Sequence, residues 1–251
     1  MQARVSNLWR HPIKAHGVEA VTASDFRAGE TMPWDRVWAI AQEGARTTPE
    51  SRDWVPCLNF SRGAKSPELM AIRARTDEAT GRLTLTHPRR VPLTVDPDHA
   101  EDAARLIAWV TPLTNPARPA PAFVARAARG MTDSSFASVA ILNTASLRAL
   151  SARMGRALAQ ERFRGNIWLD GLAPWREFDL LGRDLRIGTA TFRVRNRITR
   201  CTATTVDPAT GISDADTLAA LEDGWRHQDF GVYAEVIASG RVAVGDEARL
   251  A

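Results

Sequence analysis

The sequence predicts a mostly β (α+β) protein, with a small sheet or barrel first and a second strand-rich region that carries a few helices. Three observations predict it. Apolar and polar residues alternate in short runs over the first hundred positions. Four prolines then fall between Pro112 and Pro121, and after Arg162 the strand signal returns, with helical spacing confined to three short stretches.

The elements follow in chain order. Arg4-Val5-Ser6-Asn7-Leu8-Trp9, Val37-Trp38-Ala39-Ile40 and Leu83-Thr84-Leu85-Thr86 read as strands, punctuated by Gly29, Gly44 and Gly81. A helix is predicted from about Ala100 to Val110, with Ala103, Leu106, Ile107 and Val110 on one face. The prolines of 112–121 make that stretch a linker. A second helix runs from Ser146 to about Gln160, where Leu147, Leu150, Met154 and Leu158 recur at helical spacing and Asn143 or Thr144 caps the first turn. Ile167-Trp168-Leu169 is a strand followed by Asp170-Gly171, a dipeptide suited to a tight turn. Asp184-Leu185-Arg186-Ile187, Gly188-Thr189 and the alternating Phe192 and Val194 give a hairpin. A third helix is expected from Asp214 to Leu221 with Ser213 as cap, and Val242 to Asp246 forms a last strand and turn.

The 251 residues are 44% hydrophobic and 25% charged, which suits a folded chain and argues against disorder. No window is a membrane span, and the N-terminus lacks an apolar signal core, so a cytoplasmic protein is expected with no membrane partner. The net charge of +4 is spread along the chain, so no nucleic-acid partner is expected. Among the 33 basic residues only Lys14 and Lys65 are lysines, and neither sits in a segment suited to a pyridoxal Schiff base. There is no Gly-Lys-Ser/Thr phosphate loop, no Gly-x-Gly-x-x-Gly and no His-Glu-x-x-His.

One region carries distinctive chemistry: Arg193 to Gly211, centred on Arg200-Cys201-Thr202-Ala203-Thr204-Thr205-Val206-Asp207-Pro208. The thiol of Cys201 follows an arginine, with three more arginines upstream, in a positive potential that favours the thiolate. Thiolates bind soft metals. From residue types alone, Cys201 is either such a ligand or a structural thiol. Cys57, in Trp54-Val55-Pro56-Cys57-Leu58, lies among apolar residues and is expected to be packed away.

The Arg200 to Gly211 stretch resembles the signature of the MOSC (molybdenum cofactor sulfurase C-terminal) family, which includes the mitochondrial amidoxime-reducing components. Glu161-Arg162-Phe163-Arg164-Gly165-Asn166-Ile167 and Asp170-Gly171-Leu172-Ala173-Pro174-Trp175 are similar to elements that precede that signature. His11-Pro12-Ile13-Lys14 and Trp34-Asp35-Arg36-Val37-Trp38 are similar to motifs of the β-barrel domain found before it. The resemblance departs from the family pattern at Ala15, His16, Gly165 and Ile198.

The resemblance implies an N-terminal β-barrel domain over 1–110 packed with a MOSC β-barrel domain over 111–251. It also implies a molybdenum cofactor (molybdopterin) with Cys201 as metal ligand and catalytic centre. Lys14, Arg36, Asn143, Thr144, Ser146, Arg164, Asn166 and Arg200 are the residues expected to hold the pterin and its phosphate. The implied activity is an oxidoreductase acting on a small N-hydroxylated substrate with a separate electron-donor protein. A carrier of the cofactor or of sulfur, without turnover, is the alternative.

Overall fold

The computed structural model describes residues 2–251. Its first half contains β1 (Ala3–Arg10), β2 (Glu19–Val21), β3 (Ala23–Phe26), β4 (Trp38–Gln42), β5 (Arg73–Asp77), β6 (Arg82–His87), β7 (Arg90–Val95), α1 (Ala100–Val110) and β8 (Pro121–Arg126). The second half contains β9 (Val139–Asn143), α2 (Thr144–Arg153), β10 (Ile167–Asp170), β11 (Asp184–Ile187), β12 (Ala190–Thr199), α3 (Thr217–Trp225), β13 (Asp229–Ala238), β14 (Gly240–Ala243) and β15 (Glu247–Leu250). The mostly β class with a few helices is the observed one.

The main sheet runs β10-β9-β13-β12-β11-β15-β1 and closes on itself through β1 and β10, with β2 added to β1. Closure removes the exposed edges that an open sheet of this length would carry. Alternation fills the barrel: Val139 and Ile141, Ile167 and Leu169, Leu185 and Ile187, Phe192 and Val194, Val232 and Ala234 all point inward and are buried. Each Val, Leu, Ile or Phe among them contributes about 1.5–3 kcal/mol when fully buried. The alternate residues Ala140, Leu142 and Trp168 face outward, as does Phe230 beyond the irregular Gly231 (φ 77°), and they pack with Leu147, Leu150 and Leu221 of the helices.

A second core joins Ile13, Trp38, Ile40, Leu83, Leu85, Val95, Leu106 and Val110. It is built by the pair β4–β8, the three-stranded sheet β5-β6-β7 and α1. The chain does not divide between these units at residue 110. Val5 and Leu8 of β1 belong to the closed barrel, while β8, beyond the prolines, pairs along β4 from Trp38↔Arg126 to Gln42↔Pro121. Local periodicity reports that a strand exists, whereas its partner is chosen by burial far away in sequence.

Three elements differ from expectation. The second helix ends at Arg153, because Gly155 takes a left-handed φ of 65° and the chain turns away, although Leu158 still reaches the outer core. The third begins at Thr217 with Asp216, not Ser213, accepting the N-terminal hydrogen bond from Ala219 N, and it continues to Trp225. After β10, Gly171 has a φ of 99° but does not close a hairpin. Instead β10 lies between β9, in parallel, and β1, and a Cβ at Gly171 would stand 2.7 Å from the carbonyl oxygen of Gln2. The Gly188-Thr189 turn does join β11 to β12 as an antiparallel pair. Among the described residues no helix is long and apolar enough to cross a membrane.

Candidate functional site

The strand that carries the distinctive segment changes face before it ends. Phe192 and Val194 of β12 point into the barrel, and even spacing would send Ile198 there too. The register against β13 shifts between Val194 and Asn196, an extra residue that inverts the phase and turns Ile198 to the outer core. Arg200 and Cys201 therefore emerge on the outside of the barrel, against the N-terminal unit. Cys201 leaves the strand in extended conformation and the chain then folds into a short turn over Thr202–Thr205.

At that junction lies a cavity of about 290 Å³. Its N-terminal wall includes Lys14, Arg36, Cys57, Arg62 and Met70, and its barrel wall includes Arg162, Arg164, Arg200, Cys201 and Tyr233. Cys201 is exposed. Six cationic side chains face this space, while Asp133 is the carboxylate on its lining.

Each cation is held by a distinct support. Lys14 Nζ donates to Met131 O at 2.7 Å and to Asp133 Oδ1 at 2.6 Å. Burial lowers its pKa more than Asp133 restores it. Arg36 sits at φ 53°, a left-handed conformation costing about 1–2 kcal/mol for a residue with a Cβ. It is retained because Arg36 Nη1 is paired with Asp35 and Nη2 donates to Arg164 O at 3.0 Å. Burial alone would raise the Asp35 carboxyl, but Arg36 and the hydrogen bonds from His11 outweigh it and hold it well below the usual carboxylate range.

Arg164 has the same backbone conformation, with φ 47°, at the end of the turn Gln160–Phe163. The next residue is glycine for a reason of space: a Cβ at Gly165 would lie 2.3 Å from Leu142 Cδ1. Arg164 Nη1 and Nη2 donate to Gly17 O (3.2 Å) and Ile13 O (3.4 Å). Burial, reinforced by the Arg36 charge, brings its pKa down to about 9. Two guanidiniums kept close in a desolvated wall form a region where an anion is stabilised.

Arg200 lies over the stacked rings of Phe163 and Phe230, 5.7 and 5.9 Å from their centroids. Its Nε donates to Phe230 O and its Nη1 to Phe163 O, each at 2.8 Å, and burial lowers its pKa to about 10. Arg162 donates to Asp214 at 2.8 and 3.0 Å, with its Nε buried and unpartnered. Tyr233, the chain's single tyrosine, is raised to about 12 by burial and by the Asp133 charge. Its hydroxyl has no hydrogen-bond partner among the described residues.

The structure thus brings together Cys201, Lys14, Arg36, Arg164 and Arg200. It does not bring Asn143, Thr144, Ser146 or Asn166 to the cavity. Asn143 caps α2 by accepting from Ala145 N at 2.9 Å and donates Nδ2 to Glu177 and Ala173 O, both at 2.8 Å. Ser146 Oγ donates to Glu177 at 2.8 Å and accepts from Trp175 N at 2.8 Å. Thr144 donates to Leu169 O and Asp170. Asn166 accepts from Ala140 N at 3.0 Å and donates to Trp9 O at 3.3 Å, tying β9 to β1. These polar groups are satisfied by the fold itself.

Cys57 is a correction. It is half-buried, lines the cavity and accepts from Arg62 Nη1 at 3.7 Å. Its apolar sequence neighbours hid the arginine five positions on. Sequence reasoning also missed Asp133, Arg62 and Tyr233; for Tyr233 its singularity in the chain was the available signal.

A model of the MOSC domain matches residues 130–249, and a model of the MOSC N-terminal beta barrel domain matches residues 2–125. Mitochondrial amidoxime-reducing component 1 of Mus musculus is 31% identical over 118 residues, covering 42% of this chain and 34% of that protein. Molybdenum cofactor sulfurase of Caenorhabditis elegans is 38% identical over 97 residues, covering 37% of this chain and 13% of that protein. The matched part is about a third of the first relative and less of the second. The solved structure of the YuaD protein from Bacillus subtilis aligns over 99% of this chain and 94% of that one, with a TM-score of 0.48 and 12% identity.

Proposed function

Because the chain belongs to the MOSC domain family, carrying that family's N-terminal β-barrel domain ahead of its MOSC domain, we propose that it holds a molybdenum cofactor through Cys201 and reduces a small N-hydroxylated substrate. The observation that carries this reading is an exposed thiol at the lip of a cavity walled by six cations. The donor set fits the group. A soft thiolate suits the metal, and the Arg36–Arg164 pair, in which burial and then the Arg36 charge lower Arg164, suits a phosphate.

On this reading Cys201 Sγ is the metal ligand, and Lys14, Arg36, Arg164 and Arg200 hold the anionic pterin. When bound, the group supplies two-electron redox chemistry. The overall reaction consumes two electrons and two protons, breaks the N–O bond, and yields the reduced nitrogen compound and water. Burial and the Asp133 charge push Tyr233 up to about 12, so its unpartnered Oη is a neutral hydrogen-bond donor available to an oxygen of a bound molecule. Lys14 and Arg36 hold Asp133 ionised, which orients N–H groups of a bound molecule. The sequence has two cysteines, too few to ligate an iron-sulfur cluster, and a separate electron-donor protein supplies the electrons.

The test is metal and pterin analysis of protein made in a cofactor-competent host, followed by turnover of benzamidoxime with a reduced dye. Cys201→Ser is expected to abolish molybdenum retention, whereas Cys57→Ser retains it. Equal loss in both variants would overturn the assignment of the ligand. The exposure of Cys201 also favours a second reading, a carrier that passes on cofactor or sulfur. Bound cofactor without turnover of any N-hydroxylated compound selects the carrier.

A further inference from the structure

Five of the six cations on the cavity wall are already committed to oxygen acceptors. Lys14 has Met131 O and Asp133, Arg36 has Asp35 and Arg164 O, and Arg162 has Asp214. Arg164 and Arg200 have backbone carbonyls. Arg62 differs. It is half-buried and lines the cavity, yet its guanidinium meets a single protein acceptor among the described residues, the Cys57 sulfur at 3.7 Å. Sulfur is a weak acceptor, and a guanidinium carries five N–H donors in a planar fork that matches a carboxylate.

Its segment is also anchored beside the thiol. Thr202 Oγ1, one residue past Cys201, donates to Ala64 O at 3.3 Å, and a Cβ at Gly63 would be 3.8 Å from Ala203 Cβ. The glycine makes room for Met70, whose Sδ lies 2.5 Å from where a Cβ at 63 would stand. Arg62 is therefore held at the Cys201 end of the cavity with its charge uncompensated.

We infer that Arg62 is a specificity residue that captures the carboxylate of the substrate, so that the substrate class is N-hydroxylated small molecules bearing an anionic group. This rests on the oxidoreductase reading above. No redox step is added: Arg62 binds and orients, and the N–O bond meets the same reaction centre.

The test pairs 4-carboxybenzamidoxime with neutral benzamidoxime. The wild-type protein is expected to show the lower KM for the carboxylate. Arg62→Met is expected to raise that KM roughly 10- to 100-fold, the effect of losing one charge-assisted bidentate pair, and to change the neutral compound's KM far less. Arg62→Lys, which keeps charge and loses the fork, should fall between them. Equal KM values for the two compounds in the wild type, or a parallel rise for both in Arg62→Met, would overturn the inference. So would loss of pterin from Arg62→Met at an unchanged melting temperature, which would make Arg62 a cofactor residue.

Calorimetric titration with 4-carboxybenzamidine and benzamidine reads the same preference without turnover. If the wild type reduces neither amidoxime, the oxidoreductase reading fails. In that case a carboxylate preference in calorimetry that Arg62→Met abolishes still supports Arg62 as the anion anchor, and its absence overturns it.

Discussion

Two buried polar clusters flank the outer face of the barrel, and both contain residues that the sequence motifs singled out. One is the cavity wall of Lys14, Arg36, Arg164 and Arg200. The other is the start of α2, where Asn143, Thr144 and Ser146 gather with Asp170 and the buried Glu177. In the second, Glu177 receives hydrogen bonds from Asn143 and Ser146, and none of these residues lines the cavity beside Cys201. In the first, positive charge exceeds negative along a wall that faces open space. Burial and polarity are common to both, so what separates a binding wall from a structural network is whether its hydrogen-bonding capacity is already spent within the protein.

The largest test of that difference lies at Asp35. Its carboxylate is fully buried, pairs with Arg36 and accepts from His11 N at 2.8 Å. Asp35→Asn leaves Arg36 desolvated beside Arg164 without its paired carboxylate, with Asp133 as the remaining anion. Removing one partner of such a buried pair costs about 3–5 kcal/mol. Urea unfolding should show a loss of that size together with weakened cofactor retention. A variant that keeps wild-type stability would mean that the wall does not depend on Asp35 to hold its charges.

Acidification should push the two clusters in opposite directions. His11 and His16, behind the cavity wall, are brought to about 3 and about 4, chiefly by burial, whereas in the unfolded chain they titrate near 6.5. Between those limits the unfolded state binds more protons. Their contribution is therefore complete above about pH 6.5 and is lost as pH falls toward 4, on the order of a few kcal/mol in all. Glu177 is raised by burial and works the other way, favouring the folded state as it protonates. Unfolding free energies at pH 7 and 4.5 should show a net loss, since two histidines oppose one carboxyl. A flat profile would mean that the histidines are not held neutral.

Much of this was legible beforehand, for identifiable reasons. The β class, the β11–β12 hairpin and α1 follow from periodicity, which is local. Cys201 stood out because its arginine neighbours are adjacent in sequence. The cavity itself is not local: Lys14 meets Met131 and Asp133, and Arg164 meets Ile13 and Gly17, because β1 closes a barrel made otherwise of strands beyond residue 138. Arg62, Asp133 and Tyr233 arrive from three separate segments, and only closure makes them neighbours. The Asn143-Thr144-Ala145-Ser146 motif was visible as a motif, but a helix cap and a ligand contact use the same side chains, and the difference lies in Glu177, more than thirty positions away.

The smallest expected effect is the one that separates the clusters most directly. Asn143→Ala removes the cap of α2 and one of the donors to Glu177, and leaves Ala173 O with the Arg176 N–H alone. Loss of a cap and of a hydrogen bond to a carboxylate costs about 1–3 kcal/mol, which for a chain of this size lowers Tm by roughly 2–4 °C per kcal/mol. Because every acceptor that Asn143 serves lies inside its own network, pterin and molybdenum content should be unchanged at temperatures below the transition. Pterin lost at an unaltered Tm would place Asn143 on the binding wall, and the division between a satisfied network and an open one would fail where it is drawn most sharply.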